Sequence, residues 1–173
     1  SLGMIWWAAG WESKRRQVLK LDPAQETGWL TAVALGLLLI VLIGPIEILL
    51  YRLADLELFT DGRWLLEGLR SDYWWGVVIA AVVLAPLWEE LTFRGFLLSA
   101  LAKTRLGFWP AAAVSSGLWT LLHAGYSWPG LVSVFLAGMG FSWIMKRTGS
   151  MRAVVVAHAV INAFSLVVIS QFA

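Results

Sequence analysis

From Trp29 to Tyr51 the chain carries a single charged side chain, Glu47. A helix needs ~20 predominantly apolar residues to cross a bilayer core, so this stretch is read as a membrane span interrupted by Pro45 and Glu47. Four more apolar stretches follow. One begins at Tyr73, carries Glu89, Glu90 and Arg94 in its second half, and ends near Leu101. The others lie between Phe108 and Gly125, Trp128 and Met145, and Ala153 and Phe172. Hydrophobic residues make up 60% of the 173 positions and charged residues 14%, against ~45–50% and ~25% in a soluble domain. Too little polar material exists to cover a water-exposed surface. The expected fold is all-α, a polytopic membrane helix bundle of about five transmembrane helices. Twelve tryptophans suit long bilayer interfaces. A net charge of +2 gives no footing for a nucleic-acid partner, and the absence of cysteine excludes disulfides and thiolate metal sites.

The first twenty residues are too short and too charged to span. Leu2, Ile5, Trp6 and Ala9 recur at helical spacing and Lys14, Arg15, Arg16 and Lys20 follow, as in an amphipathic helix lying in the interface. A cleavable signal peptide puts its charges before the apolar region, the reverse of this order. The chain opens on Ser1 rather than Met, as expected of a truncated or altered N-terminus. Placing the N-terminus inside sets Lys14, Arg15, Arg16, Lys20, Lys103, Arg105, Lys146, Arg147 and Arg152 on the inner side. Arg52, Arg63 and Arg70 fall outside, among Asp55, Glu57, Asp61, Glu67 and Asp72. The positive-inside bias therefore predicts a plasma (inner) membrane protein with a cytoplasmic N-terminus and an outer C-terminus. Residues 1–28 form an interfacial helix and linker, 29–72 the first span and an outer loop, and 73–173 the main bundle. The outer loop has room for a short amphipathic helix around Trp64–Leu69, a candidate lid. Ser150 is a plausible N-cap for the last span.

A charged side chain deep in a bilayer costs several kcal/mol unless paired or wetted. Trp88-Glu89-Glu90-Leu91-Thr92-Phe93-Arg94 puts two acids and a base in one span. Glu90 and Arg94 are i,i+4 with the acid first, the favourable order. Glu89 lies ~100° round the helix and need not share that partner, so one acid is neutralised while the other stays available. Pro86 denies a hydrogen bond to the Val82 carbonyl and is expected to kink the helix. Both histidines of the chain fall in spans: His123 closes Trp119-Thr120-Leu121-Leu122-His123, and His158 shares a helical face with Asn162. A Glu and a His within reach of one water can act together as general base, and a His with an Asn amide can stabilise an oxyanion. Glu47, near Arg52, reads as solvated or paired. Ser133, Ala137, Gly138 and Ser142 read as small residues that permit close helix packing.

Glu89-Glu90-x-x-x-Arg94, Trp119-x-x-x-His123 and His158-x-x-x-Asn162, in that order on three helices, resemble the three motifs of the CPBP family. These are the type II CAAX prenyl endopeptidases and the bacteriocin-processing or Abi proteins, intramembrane proteases of glutamic type. The resemblance spans roughly Tyr73 to Phe172, and Trp119 stands where the family more often has Phe. It implies that Glu89 and His123 activate a water, that His158 and Asn162 form the oxyanion site, and that Glu90 and Arg94 support them. It implies no cofactor. A zinc-dependent version is the weaker alternative, because the histidines sit far apart in sequence rather than in one H-E-x-x-H helix. The expected partners are membrane lipids and a membrane-associated peptide or protein substrate: a CAAX-type C-terminus, a peptide precursor or a C-terminal anchor. Two other classes compete. A proton-coupled transporter also uses Glu/His chains, but five spans give no inverted repeat. A non-catalytic scaffold or immunity protein would tolerate Glu89→Ala.

Counting ~1.5 Å per residue puts Glu89 ~22 Å below Trp74 and His158 ~9 Å past Arg152, at matching depth in a ~30 Å core. His123, counted from Trp109, falls ~21 Å up, too high to meet them. Lys103–Ala112 is therefore expected to lie along the inner interface, with the third span entering near Ala113. On this arithmetic the site opens toward the cytoplasmic half.

Overall fold

The computed structural model describes residues 27–58 and 60–171; the predicted N-terminal amphipathic helix lies outside them. Among these residues six helices follow one another: α1 Trp29–Leu53, α2 Arg63–Leu69, α3 Trp74–Leu101, α4 Phe108–Leu121, α5 Trp128–Thr148 and α6 Met151–Gln171. A 3₁₀ turn over Thr60–Gly62 leads into α2. No strand occurs among the described residues. The fold is a polytopic all-α bundle, and the chain is an integral membrane protein.

Among the described residues four helices, α1, α3, α5 and α6, are long and apolar enough to cross a membrane, beside the about five expected; the remaining apolar stretch forms the shorter α4. With 14 residues, α4 is ~21 Å long against a ~30 Å core. It stops after Leu121, where Gly125, Ser127 and Pro129 mark a turn. A correction concerns its start. Residues from Phe108 are helical, and Ala111 and Ala112 are fully buried, so the helix begins before the expected entry near Ala113 and joins the bundle from Ala111, while residues 103–106 are exposed.

The exterior is apolar and the interior holds the polar groups, the inversion that lipid as solvent demands. Leu30, Val41 and Leu53 of α1 stand exposed, whereas Ala32, Gly36 and Leu39 are buried. A Cβ on Gly36 would lie 2.8 Å from the Ala157 carbonyl oxygen of α6. With Ala32, Ala153 and Ala157 all buried, small residues one turn apart let α1 and α6 approach backbone to backbone. Pro45 leaves α1 unbroken.

Caps follow the sequence. Gly149, at φ 63°, closes α5 in the left-handed conformation a Cβ disfavours. The Ser150 hydroxyl then accepts the Ala153 N–H at 3.3 Å, as an N-cap of α6. Ser127 caps α5, with Pro129 in the first turn, where its missing N–H costs nothing. Helix α2 falls where the Trp64–Leu69 pattern predicts it.

One end of the bundle gathers its basic residues on aromatic rings. Lys146 Nζ lies 4.6 Å from the Trp109 ring centre and Arg152 Cζ lies 5.2 Å from that of Trp29. At the opposite end Asp61 accepts the Ser127 N–H at 2.8 Å, the Ser127 hydroxyl at 2.7 Å and the Tyr51 hydroxyl. This ties the connecting segment to both α1 and α5.

Candidate active site

Helix α3 is not a regular α-helix. Its turns over Ala80–Leu84 and Leu91–Leu98 are π-helical, with i→i+5 bonding, a geometry that concentrates at functional sites. The Ala85 N–H donates to the Ala80 carbonyl in this register. The next donor would be Pro86, which has none, so the carbonyl that proline orphans is Ala81's rather than Val82's. This corrects the expectation from the α-helical count. Asn162 of α6 supplies the missing donor: its Nδ2 lies 2.8 Å from the Ala81 oxygen.

One turn further, Glu90 and Arg94 are fully buried and paired, Arg94 Nη1 donating to Glu90 Oε1 at 3.1 Å. Arg94 Nε and Nη2 have no hydrogen-bond partner among the described residues. Aromatic faces stand there instead, with the guanidinium carbon 4.6 Å from the Trp119 ring centre and 5.4 Å from that of Phe141. Gly138 makes room for it: a Cβ there would lie 2.8 Å from Arg94 Nη2. The small stripe on α5 thus houses a charge as well as permitting close packing.

His158 is buried between the two acids. Its Nδ1 lies 2.8 Å from Glu90 Oε1 and its Nε2 lies 3.8 Å from Glu89 Oε2. A carboxylate can only accept, so Nδ1 is protonated and donates to Glu90, and Nε2 is the nitrogen left for reacting groups. Phe141 stacks on the imidazole at 4.6 Å and 22°, which fixes the ring plane. Glu89 keeps 15% of its side chain accessible where Glu90 has none. Its Oε2 accepts the Trp119 indole N–H at 2.8 Å, and its Oε1 has no hydrogen-bond partner among the described residues.

His123 lies one turn beyond Trp119, half-buried, its ring 5.2 Å from both the Trp119 and Tyr126 rings. Near the end of α4 the backbone tightens: the His123 N–H bonds Thr120, and the Trp119 carbonyl lies 3.2 Å from His123 Nδ1. That carbonyl also only accepts, so Nε2 of His123 is its unprotonated nitrogen. The helix starts at Phe108 without the expected interfacial detour, and the residue of α4 that reaches Glu89 is Trp119, one turn short of His123. Side chains lean toward the N-terminus of their own helix, and α3 and α4 run in opposite directions, so Glu89 and Trp119 lean toward each other, which a count of Cα rise ignores.

The structure thus brings Glu89, Glu90, Arg94, Trp119 and His158 into direct contact and sets His123 beside Trp119. Asn162 contacts α3 higher up, at Ala81. Phe141 gave no sequence signal, since nothing but topology brings it to His158. The indole N–H of Trp119 was legible only as the difference between a tryptophan and a phenylalanine. No group of three His, Asp or Glu side chains converges as a metal-ligand set among the described residues. His158 Nδ1 and Glu90 Oε1 are bound to each other, and Glu90 also to Arg94.

The profile of the type II CAAX prenyl endopeptidase Rce1-like family matches residues 70–164, more than half of the chain. UPF0177 protein YxdF of Lactococcus lactis is 27% identical over 47% of this chain and 44% of its own length. UPF0177 protein YajF of the same organism is 34% identical over 36% of this chain and 29% of its own. Uncharacterized protein YyaK of Bacillus subtilis is 25% identical over 96% of this chain and 57% of its own. The chain spans less than two thirds of each of these relatives. No solved structure matches it.

Proposed function

The chain belongs to the type II CAAX prenyl endopeptidase Rce1-like family, and from that premise we propose that it is an intramembrane endopeptidase of glutamic type. The observation that carries this reading is the division of labour between adjacent acids. Glu90 is neutralised by Arg94 and orients His158. Glu89, partly accessible and bonded through one oxygen only, keeps the other for a water.

In the proposed reaction the substrate carbonyl sits above Glu89. Glu89 takes a proton from water as the water attacks, with the unprotonated Nε2 of His123 as the second acceptor on the same water. The developing oxyanion is stabilised by the imidazolium form of His158, which donates through Nε2–H while Nδ1–H stays on Glu90, and by the Asn162 N–H that Ala81 does not use. The proton returns to the leaving amine. No step requires a metal. The substrate is a membrane-associated peptide or protein: a CAAX-type C-terminus, a precursor or a C-terminal anchor. The basic residues at the end where α1 and α6 begin favour a cytoplasmic N-terminus and an outer C-terminus, with Glu89 nearer the cytoplasmic face.

The test is cleavage of fluorogenic peptides, prenylated and unprenylated, by purified protein in detergent. Activity that Glu89→Gln abolishes and a zinc chelator spares is the expected result. Activity lost to chelation would restore the zinc mechanism, and activity retained by Glu89→Gln would refute the role of the glutamate.

A further inference from the structure

Glu89 is a problem for a catalyst as well as a solution. Its side chain has three rotatable bonds, it is partly accessible, and the arginine one turn on is committed to its neighbour. His158 Nε2, at 3.8 Å, is beyond hydrogen-bond reach. Left at that, the carboxylate could rotate among orientations of which few present an oxygen to a water lying against a substrate carbonyl.

We infer that Trp119 is the positioning residue for this carboxylate: its indole N–H fixes Oε2 and thereby selects Oε1 as the oxygen that takes the proton. The inference rests on the endopeptidase reading and deepens it. The 2.8 Å bond from Trp119 Nε1 is the one hydrogen bond Glu89 receives among the described residues. The donor is itself immobile. Trp119 is 3% exposed, with the Arg94 guanidinium over its face at 4.6 Å and the rings of Phe141, His158 and His123 around it at 5.8, 5.5 and 5.2 Å. An indole clamped on these sides cannot follow a wandering carboxylate, so the carboxylate is held to the indole. The same ring carries His123, whose Nδ1 faces the Trp119 carbonyl. Trp119 thus sets both partners of the water: Glu89 through its side chain and His123 through its backbone.

The experiment separates the N–H from the ring. Trp119→Phe keeps an aromatic face for Arg94 and the histidines and deletes the donor. Replacement by 3-benzothienylalanine keeps the shape of the indole and exchanges the N–H for sulfur, so a packing role would leave it unaffected. Steady-state kinetics of both variants are compared with wild type on one cleaved peptide, with thermal unfolding followed on the same preparations. The expected result is a kcat lower by ~10–100-fold in both, KM within about twofold, and an unfolding midpoint for the benzothienyl variant matching wild type. A benzothienyl variant with wild-type kcat would overturn the inference. So would a loss of activity that appears only in Trp119→Phe and tracks its unfolding. Glu89→Gln is run alongside: if it cleaves normally the glutamic-type reading on which the inference rests fails, whereas an inactive Glu89→Gln beside a fully active benzothienyl variant removes only the role of Trp119.

Discussion

Asp61 and Glu89 are both half-sheltered acids set against an aromatic residue, and they are finished differently. Asp61 receives the Ser127 N–H on one oxygen and two hydroxyls, from Ser127 and Tyr51, on the other. Glu89 receives one N–H on one oxygen and nothing on the other. Three donors on two oxygens hold the Asp61 carboxylate in place on both sides, and it serves as a strut. An incompletely bonded one that is partly accessible keeps acceptor capacity for a water. Glycine marks the strut: a Cβ on Gly130 would fall 2.1 Å from Asp61 Oδ2, so the end of α5 is built around the acid.

The sharpest test of this contrast bears on the charge that keeps the two adjacent acids apart in role. Arg94→Leu leaves Glu90 buried with its ion pair gone, and should cost about 3–5 kcal/mol. The measurement is folded yield and unfolding midpoint in detergent, and a stable Arg94→Leu would break the assignment of Glu90 to structure. Asp61→Ala removes the acceptor of three donors and should cost about 1–3 kcal/mol, while kcat per folded molecule stays at the wild-type value. If activity fell and stability did not, the strut and the reactive acid would have been confused. The smallest effect concerns Tyr126, in the turn between α4 and α5. Burial, with the charge of Asp61 adding, holds its phenol above its ordinary value. The folded state therefore retains a proton that the unfolded chain loses above about pH 10. Stability should fall as pH rises from there, and Tyr126→Phe should flatten that decline in alkaline melts.

The sequence made the spans legible because lipid imposes a length and a composition on them. It also paired Glu90 with Arg94, since i,i+4 spacing is geometry that needs no partner helix. Hydropathy registers the stretch that forms α4 but not its early stop at Leu121. The contacts of the two histidines were out of reach for a different reason. Which acid His158 faces depends on the rotation of α6 against a π-helical α3, and a register shift of one residue around Pro86 moves the orphan carbonyl from Val82 to Ala81. Asn162 meets α3 there because of that shift. Asp61 was hidden in a charged loop, where nothing in the sequence singles it out from its acidic neighbours.

The central claim, that Glu89 is kept incompletely bonded in order to work on water, is tested most directly by one preparation of Glu89→Gln. Peptide turnover and the thermal unfolding midpoint are measured on the same sample as wild type. The account predicts a turnover lower by ~10²–10⁴-fold with a midpoint no lower than wild type, since the neutral amide still accepts the Trp119 N–H. Turnover retained, or lost only in proportion to unfolded protein, would contradict it.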